Sequence, residues 1–111
     1  MTDKKGGYLI SFVTARGEEE AERIAELVVS EGLAACCNIV AGVKSIYTWK
    51  GEVCKEGEVL CIFKTRRDLF ERFMERVIAL HSYEVPEVIA VNIEAGSQKY
   101  LDWIDEVMGK G

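Results

Sequence analysis

At 111 residues, with 49% apolar and 30% charged side chains, the chain fits one domain, residues 1–111, with a real core, and its balance excludes disorder. The net charge of −5 weighs against nucleic acid as a partner, because phosphate contacts call for a basic face. No apolar run approaches the roughly 20 residues of a membrane helix, and no hydrophobic leader opens the chain, so the expectation is a cytoplasmic protein without membrane contact.

Met1 to Gly7 is polar and reads as frayed. Residues 8–14 (YLISFVT) form an apolar, β-branched run, a buried strand. Glu18–Ser30 places Ala21, Ile24, Ala25, Val28 and Val29 on one helical face, with Glu18, Glu19 and Glu20 at the positive end of the helix dipole. Gly32 is a natural stop. Residues 33–49 are rich in Val, Ile, Tyr and Thr, with Gly42 marking a bulge or bend. Lys50-Gly51 reads as a hairpin turn, and residues 53–64 return as a second long strand, softly broken at Gly57.

Thr65 followed by Asp68 resembles an N-cap with its acid. Leu69, Phe70, Phe73, Met74, Val77 and Ile78 then make a wide helical stripe that stops near Leu80 and His81. A turn at Glu84-Val85-Pro86 leads to a fourth strand over residues 88–93. Gly96 and Ser97 open a last helix with Tyr100, Leu101, Ile104, Val107 and Met108 inward. The order β-α-β-β-α-β predicts a ferredoxin-like α+β domain with an additional C-terminal helix. Right-handed crossovers give the sheet order 4-1-3-2, with both main helices on one face.

The central strands are long for such a domain. Fourteen residues at about 3.3 Å span roughly 46 Å, against a diameter of roughly 34 Å for a domain of this size. The hairpin therefore overhangs or bends at Gly42 and Gly57. An overhang carrying Ile46, Tyr47 and Trp49 exposes sheet edges that neighbouring subunits would cover, which predicts an oligomer.

Residues capable of chemistry are few. His81 is the only histidine and stands beside Ser82, Tyr83, Glu84 and Glu87. On spacing alone it suits metal ligation, helix capping or packing. Cys36, Cys37, Cys54 and Cys61 make no C-x-x-C pair, and adjacent Cys36 and Cys37 point to opposite faces of a strand. Thiolates suit Cu(I), or zinc with imidazole, yet packing explains these cysteines as well. Lys64, Arg66 and Arg67 lie at a strand end and helix start. No nucleophile-base motif, Walker loop or dinucleotide fingerprint occurs, so no enzyme and no organic cofactor is expected.

Five stretches in order carry a resemblance: LAACCN (33–38), SIYTWKG (45–51), FKT (63–65), HSYEVPE (81–87) and YLDW (100–103). Together they resemble the CutA family, the divalent-cation tolerance proteins. The resemblance implies a ferredoxin-like homotrimer with hairpins pairing between subunits, and a relation to copper or another divalent metal ion. It implies metal ligands at His81 and Cys36, which match the family's recurrent histidine and cysteine, with Glu87 as a carboxylate neighbour. Some members carry a cysteine in the first strand, where this chain has Phe12-Val13-Thr14 and no thiol. The architecture is also similar to trimeric nitrogen-regulatory signalling proteins, which bind small molecules between subunits. On that alternative reading Tyr47, Trp49, Lys64 and Tyr83 line an inter-subunit cleft.

Overall fold

A computed structural model describes residues 6–109. Strand β1 (Tyr8–Ala15) leads into helix α1 (Glu18–Ser30), and the hairpin β2 (Cys36–Trp49) and β3 (Glu52–Arg66) follows. A 3-10 turn (Arg67–Leu69) opens α2 (Phe70–Leu80); β4 (Val88–Asn92) and α3 (Gln98–Met108) complete the chain. The sheet is antiparallel in the order β2-β3-β1-β4, the expected 4-1-3-2 read from the other edge. The frayed N-terminal reading falls on residues 1–5, outside the described residues. Gly6 and Gly7 are tied down instead, their carbonyls accepting from Arg67 Nε (2.8 Å) and Arg67 N (2.9 Å).

Alternation along β1 and β3 sends Val13, Ala15, Val59, Cys61 and Phe63 to one face, where α1 and α2 cover them with Ala21, Ile24, Val28, Phe73 and Val77. Phe63 meets Phe73 edge to face at 5.0 Å, and burying each ring contributes on the order of 2 kcal/mol. The four cysteines lie in β2 and β3 as free thiols. The neighbouring Cys61 thiol, together with burial, raises the Cys37 pKa and keeps it a packing group.

The opposite face carries α3 at one end, where Ile104 and Met108 pack with Tyr8, Ala35 and Leu69. Arg66, 1% exposed, fixes this helix: it donates to Asp68, to Asp105 (3.2 Å) and to the Gly109 carbonyl (2.7 Å). Tyr8 adds a 2.7 Å hydrogen bond from its hydroxyl to Asp105. Tyr100 and Val107, expected inward, are exposed, because α3 turns its Leu101, Ile104 and Met108 side to the sheet. The rest of this face stays open and apolar, with Val40, Ile89 and Val91 exposed beside the half-buried Ile10, Phe12, Leu60 and Ile62.

Two expectations need correction. Thr65 does not cap α2; it lies inside β3, paired with Leu9, and its hydroxyl donates to the Leu33 carbonyl at 2.8 Å. Pairing with β1 holds the strand through Arg66 and delays the helix. Nor does Gly57 break β3, since it pairs regularly with Lys44. The one irregularity is at the other glycine: the register shifts between Val40 and Val43, where Gly42 takes φ +80°. Lys50 and Gly51 both have positive φ (52° and 82°), the type I′ turn that matches strand twist. Beyond Val59, β3 loses β1 and pairs only with β2, so the hairpin overhangs and the molecule reaches 47 Å along its long axis.

Candidate functional site

The overhang and the loop after α2 enclose a cleft of about 610 Å³. Its hairpin wall follows from the turn. Pairing about Lys50-Gly51 sets Tyr47 opposite Cys54, Ser45 opposite Glu56 and Val43 opposite Glu58, which puts them on one face. Ser45, Tyr47, Trp49 and Glu58 line the cleft from this side. The facing wall is Ser82, Tyr83, Glu84, Val85 and Glu87, with Thr14 at the floor. Pro86 disfavours helix at Val85, and residues 82–85 run as a series of bends after α2 ends.

His81 holds the two walls in place. Its ring is fully buried. The Tyr83 amide donates to Nδ1 (3.1 Å), so Nε2 carries the proton and donates to the Thr14 carbonyl (2.8 Å). The Tyr83 ring lies 4.6 Å from the imidazole, and its hydroxyl donates to Glu58 at 2.6 Å, bridging loop and hairpin. Glu20 reaches in from α1: its carboxylate accepts from the Ser82 amide (2.8 Å) and stands 3.7 Å from Nδ1. Burial raises the Glu20 pKa, but hydrogen bonds from Ser82 and the Arg16 amide outweigh it, and the carboxyl sits below its ordinary range.

The cleft is electronegative. Its lining includes Glu58, Glu84 and Glu87 and, among the described residues, no Lys, Arg or His. Desolvation and the carboxylates Glu58, Glu20 and Glu56 push the Tyr83 phenol pKa up, and Tyr47 is raised by burial, Glu56 and Glu58. Lys50 Nζ lies over the Trp49 ring, 5.7 Å from its centroid, a cation–π contact within the hairpin.

Of the residues singled out in the sequence, Tyr47, Trp49, Tyr83 and Glu87 line this cleft, which one copy of the chain forms by itself. Lys64 turns away and donates to Asn38. Cys36 lies four β3 positions from the cleft floor, opposite Lys64, with its Sγ 3.6 Å from the Tyr100 hydroxyl. That hydrogen bond, with burial, holds the Tyr100 pKa up at about 12. One copy thus brings His81 and Glu87 into the same loop but not Cys36, and both His81 nitrogens are engaged within the chain. Among the described residues no three His, Cys, Asp or Glu side chains converge on a point that would hold a metal ion directly. Sequence reasoning missed Glu58, and it named Glu84 only as a neighbour of His81 and Glu20 only as part of the acidic start of α1. Glu58 was within reach, because regular pairing about the two-residue turn places it on the face of Tyr47.

The profile described as CutA1 divalent ion tolerance protein matches residues 9–107. The "Divalent-cation tolerance protein CutA" of Thermus thermophilus is 47% identical over 100 residues, covering 90% of this chain and 97% of that one. "Protein CutA, chloroplastic" of Arabidopsis thaliana is 47% identical over 86% of this chain, which spans only 53% of the plant protein. The crystal structure of CutA1 from Oryza sativa superposes with a TM-score of 0.92 at 41% identity, covering 96% of this chain and 98% of that one. A Thermus thermophilus structure titled as a divalent cation tolerance protein gives 0.89 at 46% identity, over 92% and 99% of the two chains. Fold, hairpin and sequence agree over nearly the whole length, and the chain belongs to the CutA1 divalent ion tolerance family.

Proposed function

We propose that this protein is a non-catalytic, cytoplasmic homotrimer that takes up divalent cations in the cleft between its hairpin and the 82–87 segment. One observation carries the reading: Glu58, Glu84 and Glu87 line the cleft without a basic side chain among the described residues. Because these carboxylates do not converge, the ion enters with its water shell, as magnesium and manganese do at carboxylate sites. The trio His81, Cys36 and Glu87 would need a second copy to bring the thiol and a His81 nitrogen released from its backbone partner, and copper is the ion its imidazole and thiolate would suit. Trimerisation is supported by the open apolar sheet face and the overhanging hairpin.

Calorimetric titration with Mn²⁺ tests the cleft. Glu58→Gln/Glu87→Gln is expected to weaken Mn²⁺ binding about five- to thirtyfold, since ion pairs of this kind contribute about 1–2 kcal/mol together. Unchanged affinity would overturn the reading. A Cu²⁺ EPR spectrum with nitrogen coupling that His81→Ala abolishes would move the ion to the His81 trio.

The size of the cleft favours a second reading, a trimer that senses a small organic molecule. About 610 Å³ lies within the range of small-molecule sites and far exceeds what a single ion needs.

A further inference from the structure

We infer that Cys37 and Cys61 form a two-thiolate site beneath helix α1 for a soft monovalent cation of the Cu(I) class. It is separate from both the carboxylate cleft and the His81 trio.

The pairing of β2 with β3 creates the juxtaposition. Cys37 stands opposite Phe63 and Cys61 opposite Ile39, so the two cysteines are diagonal neighbours on one face of the sheet. That is the face α1 and α2 cover, whereas Cys36 points to the other side, toward Tyr100 of α3. Both are free thiols, and each shifts the pKa of the other, which puts their sulfurs within mutual reach. The one hydrogen bond from Cys37 Sγ is a weak one of 3.7 Å to the Asn38 carbonyl. Without an ion the two side chains pack as small apolar groups.

Spacing selects the chemistry. Diagonal Cβ atoms sit somewhat under about 7–8 Å apart, well beyond the roughly 3.8 Å of a disulfide. Two metal–sulfur bonds of about 2.3 Å in line hold the sulfurs about 4.6 Å apart, and the Cβ–S bonds span the remainder. The donor count selects the ion. Among the described residues no third His, Cys, Asp or Glu side chain joins the pair, so zinc, which takes four ligands, is not held. Hydrated divalent ions prefer carboxylate oxygen and go to the cleft. Thiolates favour Cu(I), a closed-shell ion satisfied by two donors in line. Binding forms two Cu–S bonds and releases both thiol protons to solvent, with no change of oxidation state.

One copy completes this site. It lies on the helix-covered face, away from the open sheet face and the overhang that neighbouring subunits cover. Cys61 is 1% exposed, but Cys37 is half-buried on edge strand β2 and lines a groove under α1 with Ala25, Val29 and Ile39. Exposed Glu22 and Glu26 flank this groove and draw cations toward it.

The variant Cys36→Ala/Cys54→Ala keeps only this pair of thiols and removes the sulfur of the His81 trio. Cu(I), supplied anaerobically as its acetonitrile complex, is titrated into that full chain against the chelator bicinchoninate. The expected result is one bound equivalent per chain, with two sulfur neighbours and no nitrogen in the X-ray absorption spectrum. Adding Cys37→Ala, at the half-buried position and checked by circular dichroism, is expected to weaken Cu(I) at least roughly a hundredfold, since even groups that only orient a metal ligand are worth about ten- to a hundredfold. Unchanged affinity in Cys37→Ala, a nitrogen neighbour in the spectrum, or no binding in competition with the chelator would each overturn the proposal. The absorption spectrum is taken with both thiols intact, so it decides the matter even where Cys37→Ala unfolds.

Discussion

Polar side chains with ordinary reputations as functional groups do structural service in this chain. His81 spends both ring nitrogens on the backbone of Thr14 and Tyr83. Arg66 is buried to tie β3 to α3, and Tyr8 joins it by donating to Asp105. That hydrogen bond, then burial and the Asp105 charge, push the Tyr8 phenol from 10 up to about 12. The sign of the linkage follows: the folded state holds this proton more tightly than the unfolded chain, so the contribution is whole below pH 10 and lost as pH rises through 12. In urea unfolding, the stability gap between wild type and Tyr8→Phe is expected to narrow from pH 10 to pH 12. A gap that stays constant would show that the phenol proton is not shared with Asp105. None of these roles was visible in the sequence. A lone histidine after a helix is compatible with ligation, capping or packing, and only the tertiary position of Thr14 distinguishes them.

Elements were far more legible than contacts. The period of apolar residues located all three helices and four strands, and α1 runs from Glu18 to Ser30 as its stripe indicated. What local pattern missed, long-range pairing decided. Thr65 has the sequence of a cap, but Leu9 across the sheet keeps it in β3. The last helix shows a stripe whose spacing says that one side is buried, not that it lies across the sheet from α1 and α2. The two hairpin glycines looked equivalent and are not. Gly42 needs positive φ, whereas Gly57 sits in regular strand, and a methyl group added at either would meet no atom within 4 Å. Gly42→Ala is therefore expected to cost about 1 kcal/mol through backbone strain alone. Gly57→Ala should be neutral or stabilise by up to about 1 kcal/mol, because it only removes freedom from the unfolded chain. Equal effects of the two in chemical denaturation would refute the difference in backbone roles.

At the scale of the whole molecule, the excess length of the hairpin was readable from residue counts, and the 47 Å long axis matches it. The cleft was less readable, since Tyr47 and Trp49 are joined to Tyr83 only by folding. Assembly has a definite test. Ile89 and Val91 on edge strand β4 are 54% and 48% exposed beside Ile10 and Phe12. A second copy covering them would make Ile89→Lys strongly unfavourable. Sedimentation is expected to show a trimer for wild type and a shift toward monomer for Ile89→Lys, with helix content retained. Identical sedimentation of the two would place the subunit contacts elsewhere.

The bonds that hold α3 have a topographical consequence. Tyr8 meets Asp105, and Arg66 meets the Gly109 carbonyl, so the first and last described segments emerge side by side. They do so at the Arg66 end of β3, 14 residues of strand away from the turn at Lys50-Gly51 and roughly 46 Å from it. Extra sequence attached at either end leaves the domain on the side remote from the cleft.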